Sequence, residues 1–212
     1  MSQQSGRGWV IFSSLIVAGL IAVMLSLGAW QLRRHDEKVT AIALMRANLS
    51  RPAVAFPQHG PVTADILFRP SSVMCLRVVN WVVEAGKAAD GASGFRYIAQ
   101  CVTGAEGPGA LVAVGVGGRP DLKPEWQGGR VTGRIVEEPD HRSLWSRATM
   151  PHQVLRPMLV ADSATDGLKV PAPPRIEDVP NSHISYAVQW YIFATIAAII
   201  YIIALRRRLK AS

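Results

Sequence analysis

Two long stretches without charge bracket this chain, and between them the alternation of apolar and polar positions changes character. Trp9 to Trp30 (WVIFSSLIVAGLIAVMLSLGAW) and Ile184 to Leu205 contain no charged residue. Each is about as long as a helix must be to cross a hydrocarbon layer of roughly 30 Å. Tryptophans, which favour the headgroup boundary, stand at both ends of the first. Pro180, Asn181 and Ser182 precede the second and suit a capped helix start, and Arg206, Arg207 and Arg208 close it. The two runs predict transmembrane helices over residues 9–30 and 184–205, with short tails at 1–8 and 206–212. Arg7 and the small residues of Ser26-Leu27-Gly28 also suit a cleavable leader, but the apolar run exceeds a usual leader core, which favours a retained span.

Past the first run, Leu32, Val39, Ile42, Leu44, Met45 and Leu49 continue a helical pattern over residues 31–49, and Arg51-Pro52 ends it. Beyond Pro57 the period shortens. Ser72–Val83, Phe95–Val102, Ala110–Val116, Arg130–Val136 and Gln153–Val160 are brief apolar runs bounded by Gly, Pro, Asp or Asn, the pattern of strands. Pro171 to Pro180 leads back to the second span. The expected fold is a membrane α-helical hairpin of two transmembrane helices plus a small antiparallel β-sheet or barrel, an α+β soluble domain within 31–180. Ser14, Ala18, Ala22 and Ser26 form a stripe of small side chains on the first span. Ala187, Ala194 and Ala198, with Ala197 and Ala204 on a neighbouring face, offer a match on the second. Packing of the two spans on these stripes brings Trp30 and Gln31 beside His183.

Charge matters here mainly by its location. The net charge is +8, but residues 31–180 hold all 15 acidic residues and carry only +3. The rest flanks the apolar runs, so it sets orientation and makes no nucleic-acid groove. The Arg206–Lys210 cluster predicts cytoplasmic termini and a periplasmic central domain in an inner (plasma) membrane. Arg33, Arg34 and Lys38 oppose this mildly, but a loop this long is translocated largely regardless of charge. The two cysteines, Cys75 and Cys101, lack any CxxC spacing. Outside the cytoplasm they could pair; two buried thiols fit the pattern equally well.

Enzyme signatures are missing: no GxSxG, GxGxxG, Walker loop or HExxH occurs. Gly115-Val116-Gly117-Gly118 reads as a hairpin turn. The adjacent Glu137 and Glu138 would point to opposite faces of a strand, so they cannot act as an acid/base pair. His59, His141 and His152 fall in polar loops, and His35 follows Arg33-Arg34 as an interfacial polar residue. His183 stands apart. It opens the second span, with Tyr186 and Trp190 at i+3 and i+7. A neutral imidazole there can ligate haem iron against an apolar wall, or it can simply anchor a helix end at the headgroups.

Gly28, Trp30, Gln31, Arg34 and Lys38 leaving the first span, and Asn181, His183, Tyr186, Ala187 and Trp190 entering the second, resemble the surfeit-locus family of cytochrome c oxidase assembly factors. Gly94-Phe95-Arg96-Tyr97-Ile98 sits where that family has a Gly-Tyr strand. Ala110–Val116 lacks the Asn, Arg and Trp that members usually carry there, which marks a divergent member. The resemblance implies a non-enzymatic membrane protein that assists delivery or insertion of haem a. Its partners would be the large catalytic subunit of the oxidase and other assembly factors. It also implies His183 as the haem ligand, with Tyr186, Trp190, Trp30 and Gln31 lining the site. The alternatives are a structural or accessory subunit retained in a respiratory complex, and a membrane-tethered binding domain unrelated to oxidase.

Overall fold

The structure, a computed structural model, describes residues 2–104, 107, 109–150, 154–165 and 167–211, of which 2–7, 148, 209 and 211 are described by their backbone alone. The chain divides into two units, Met1–Thr40 with Pro180–Ser212, and Ala41–Val179.

The first unit is a pair of helices. Helix α1 covers Ser2–Asn48 without a break, its last residues belonging to the second unit, and the C-terminal helix, α3, covers His183–Ala211. Both are long and apolar enough to cross a membrane. Most of their sheltered positions follow one spacing, with Ser13 and Leu27 on α1 and Tyr191 and Ala198 on α3 flanking it. On α1 the half-buried or buried side chains recur at Val10, Ser14, Val17, Ile21, Met24, Gly28, Gln31 and His35. On α3 they recur at His183, Ala187, Trp190, Ala194, Ala197 and Tyr201. Steps of four and three alternate on both helices, the 3.5-residue repeat of a left-handed supercoil. Contacts along this seam join Ser14 to Tyr201 by a hydroxyl hydrogen bond, and Gly28 to the Tyr191 ring. A Cβ at Gly28 would lie 2.9 Å from that ring, so the Tyr191 side chain would have to shift to admit one.

The spans therefore pair, but through a different face of α1 from the one expected. Ala18, Ala22 and Ser26 are exposed, while Ala187 and Ala194 are buried. A four-residue small stripe drifts around the helix relative to a 3.5-residue seam, so only Ser14 belongs to both.

The second unit is a seven-stranded mixed sheet. Its strands are β1 (Val54–Ala55), β2 (Pro70–Cys75), β3 (Arg77–Lys87), β4 (Ser93–Val102), β5 (Ala110–Gly117), β6 (Gly129–Glu137) and β7 (Pro157–Ala161), in the order β1-β2-β6-β7-β5-β4-β3. Pairs β1–β2 and β5–β7 are parallel and the others antiparallel, so the sheet is not antiparallel throughout. The β5–β7 pair is parallel because the intervening chain includes β6 and a short helix, α2 (Leu144–Thr149), which gives room for a crossover. The run Ser72–Val83 is two strands, interrupted at Leu76, whose N–H donates to Val102 O at 2.8 Å. Gly115 and Gly117 lie within β5 rather than in a hairpin turn. His152 and Gln153, expected in a loop and at a strand start, lie outside the described residues.

Every residue of β5 and β7 is buried, as central strands covered on both faces require. Tyr97, Ala99, Val112, Val114 and Leu159 share one core; Ile98, Leu111, Ala113, Met158 and Val160 form another from the alternate side chains of the same strands. The cysteines do pair. Cys75 ends β2 and Cys101 lies near the end of β4, four places apart in the strand order, yet their Cα atoms are 5.1 Å apart. A flat sheet would separate those strands by about 19 Å. The sheet is therefore curled round on itself, and the disulfide crosses the closure. Buried Asn48 ends α1, its amide donating to Ala64 O and Leu67 O at 2.9 and 2.8 Å, while Met45, Phe68 and Ile176 pack beside it.

Candidate functional site

Apart from the Ser14–Tyr201 hydroxyl pair, the seam of the helix pair is apolar as far as Gly28 and then turns polar. Continuing its phase along α1 gives Gln31 and His35, and the facing chain supplies Asn181 and His183. These four side chains make two reciprocal bonds: His183 Nδ1 to Gln31 Oε1 at 2.8 Å, and His35 Nδ1 to Asn181 Oδ1 at 3.2 Å. Each helix side of the mouth contributes one imidazole and one amide. In each pair a side-chain amide reaches across the seam to one ring nitrogen, and the tautomer decides which partner donates. No described residue bonds either Nε2. A metal-ligating histidine generally has its outer ring nitrogen held by a polar partner that fixes the ring's orientation, as Gln31 holds His183.

Of the residues expected at the site, the structure joins His183 and Gln31 directly. Trp190 is a half-buried seam residue whose ring meets Phe193 edge-on at 6.2 Å. Tyr186 and Trp30 are 51% and 46% exposed and face away from the seam. Trp30 follows Ala29 and precedes Gln31, and each residue turns about 100° from the last on a helix, so Trp30 and Gln31 cannot share the seam. His35 is the residue that sequence reasoning passed over. Its signal is positional: it stands seven residues after Gly28, on the same seam.

The donor set would suit a haem iron: an imidazole with one ring nitrogen held by Gln31, beside an apolar helix surface. Among the described residues no group of three or more His, Cys, Asp or Glu could hold a metal ion by itself.

In the sheet unit the charged groups are largely paired. Glu84 meets both Arg96 and His141, the latter at 3.0 Å. His141 is thus exposed, as expected of its loop, yet has a partner. Asp140 accepts from Arg142 Nε and Nη2, each at 2.9 Å, and lies 3.2 Å from Arg147. The Arg142 hydrogen bond, with the charges of Arg142 and Arg147 behind it, holds the Asp140 carboxyl down at about 2. A cleft of about 580 Å³ lies over Val136, Met158 and Val160, rimmed by Lys87 and Arg175. Arg175 is already paired with Asp178 at 3.2 Å.

The model of the SURF1 family matches residues 18–195, from within the first apolar run to within the second. No curated protein matches the chain.

Proposed function

Given that the chain belongs to the SURF1 family, which is known for cytochrome oxidase assembly and whose members are membrane-associated, we propose that it holds haem a at the mouth of its helix pair and passes it to the large catalytic subunit of the oxidase. The observation that carries this reading is His183, whose Nδ1 meets Gln31 Oε1 at 2.8 Å and whose Nε2 has no partner among the described residues. When bound, haem would supply an iron that accepts an imidazole nitrogen, and His183 would hold it. Burial of an apolar macrocycle against the helices supplies most of the affinity, and the imidazole fixes its orientation. A single exchangeable ligand of this kind suits a carrier.

The reading places both helices across an inner membrane, with the termini in the cytoplasm and residues 41–179 in the periplasm. The buried Cys75–Cys101 bond supports this side, because disulfides persist in oxidising compartments. Protein purified from cells that make haem a is expected to carry a haem absorption band, and His183→Ala to remove it. A colourless wild-type protein under those conditions rules out the carrier role.

A further inference from the structure

The most exposed large apolar side chains described in the sheet unit sit together on the segment between β6 and β7. Leu144 and Trp145, the first two residues of α2, are 82% and 77% exposed, and Met150 and Val154 beyond it are 69% and 53% exposed. Single exposed apolar residues are ordinary, but four on one segment mark an interaction surface. The base of the segment is held in place. Ser143 accepts from the Ser146 N–H at 3.2 Å, and Arg142 donates to the Asp140 carboxylate at 2.9 Å and to Met150 O at 2.7 Å. Arg147 also reaches Asp140, at 3.2 Å. The tip is thus presented by a clamped turn.

Three observations say what covers it. First, the segment leaves the sheet unit beside the residues that join the unit to the spans. Val136, near the end of β6, packs in the cluster of Met45, Phe68 and Ile176, with Ala41, Ile42 and Val179. Ala41 and Val179 are the unit's first and last residues. Trp30, which ends the first apolar run, precedes Ala41 by 11 residues, about 16 Å of helix. The seven residues from Glu138 to Leu144 can span up to about 25 Å. Second, from His141 to Ala161 the chain has three arginines and no acidic residue, a balance suited to anionic headgroups. Third, Leu144 and Trp145 lie about 100° apart around α2, so they project to different sides. A fluid acyl boundary covers both; one flat protein groove does not. Resting on the reading that the two helices cross a membrane, we propose that the α2 tip dips into the headgroup layer of that same bilayer. Leu144 and Trp145 enter the acyl boundary, Arg147 meets the lipid phosphates, and the sheet unit gains a peripheral attachment besides its two spans.

The test uses the full chain in vesicles of phosphatidylcholine and phosphatidylglycerol, with a nitroxide on one introduced cysteine. The native cysteines are paired and buried, so they stay in place. Labels go on Leu144→Cys, on Ile16→Cys in the first apolar run, and on Asp121→Cys, whose side chain is exposed on the sheet unit. Oxygen concentrates in lipid, whereas a charged-chelate nickel reagent stays in water. The Leu144 and Ile16 labels are expected to relax more with oxygen than with nickel, and the Asp121 label to do the reverse. Met150→Cys is expected to follow Leu144→Cys. A Leu144 label as open to nickel as the Asp121 label overturns the proposal and leaves the spans standing. An Ile16 label equally open to nickel overturns the spanning reading with it. A Leu144 label shielded from both reagents marks a protein contact and also overturns the proposal. In phosphatidylcholine alone the Leu144 label is expected to lie shallower, and an unchanged depth overturns the role given to Arg147.

Discussion

Asp140 and Gln31 show how single side chains set the behaviour of their surroundings. Asp140 is gripped by Arg142 and Arg147, and its carboxyl is held down at about 2 against an ordinary value near 3.8. A carboxylate whose folded pKa is depressed stabilises the fold above its unfolded pKa and loses that contribution as pH falls through the folded value. The segment around α2 is therefore expected to hold from neutral pH down to about 4 and to loosen between about 4 and 2. Carboxyl chemical shifts followed by NMR across that range check this, and Asp140→Asn is expected to abolish the transition. Gln31 acts on a ligand instead of a charge. Gln31→Leu removes the partner of His183 Nδ1 and frees the ring to rotate. On the carrier reading, haem affinity falls about 10- to 100-fold, the usual effect of losing an outer partner of a metal ligand. Equilibrium haem titration of the variant against wild type measures it. Undiminished affinity would show that the amide has no role beyond joining the helices.

At the scale of elements, the helix seam decides which small residues matter. Ala187 and Ala194 are 0% and 3% exposed, whereas Ala18 and Ala22 are exposed. Ala187→Leu with Ala194→Leu is expected to force the helices apart, and Ala18→Leu with Ala22→Leu to leave them paired. Distances between spin labels on one introduced cysteine in each helix, in a chain lacking the native pair, report the difference. The spans themselves are legible in sequence because length and lack of charge suffice. Their contact face is not, because a stripe of small residues marks where close approach is allowed, and the 3.5-residue phase shows where it occurs. The sheet shows the same division. Buried strands such as Ala110–Gly117 and Pro157–Ala161 read directly from apolar content. The break between β2 and β3 does not, because the residue at the break, Leu76, is itself apolar. Nor does the two-residue strand β1 announce itself, since it is too short to show a period. At the site, His183 and Gln31 are visible through their motif, but His35 appears only once the seam phase is known. The closure of the sheet depends on a contact between segments 26 residues apart in sequence. Loop-closure entropy assigns the Cys75–Cys101 bond about 3.5 kcal/mol. Replacing both cysteines by alanine is expected to lower the unfolding temperature of the sheet unit by about 10 °C. Thermal scans of the full chain followed by near-ultraviolet circular dichroism test this, and an unchanged midpoint would mean that the curl is held by packing alone.

For the molecule as a whole, orientation is where the charge evidence conflicts. Arg206, Arg207, Arg208 and Lys210 follow one apolar run, while Arg33, Arg34 and Lys38 follow the other. These clusters stand at opposite ends of the helix pair, so the positive-inside tendency pulls both ways. Two features separate the ends. Arg34 is paired with Glu37 at 2.6 Å, and Asp36 lies beside it, so that end has acidic company. The tail after Leu205 has no acidic residue at all. The chain that follows the first run is also the long one, and long segments cross largely regardless of charge. The buried disulfide adds a chemical constraint, since a reducing cytoplasm opposes its formation. The expected result is that protease added outside spheroplasts removes residues 41–179 and spares the tail after Leu205. In the same cells, a membrane-permeant alkylating reagent is expected to leave Cys75 and Cys101 unmodified unless a reductant is added first. A body resistant to outside protease, together with both thiols alkylated without reduction, would place it in the cytoplasm. The imidazole layer at Gln31 and His183 would then open to the same side as the basic tail's expected compartment, and haem would have to be received from within the cell.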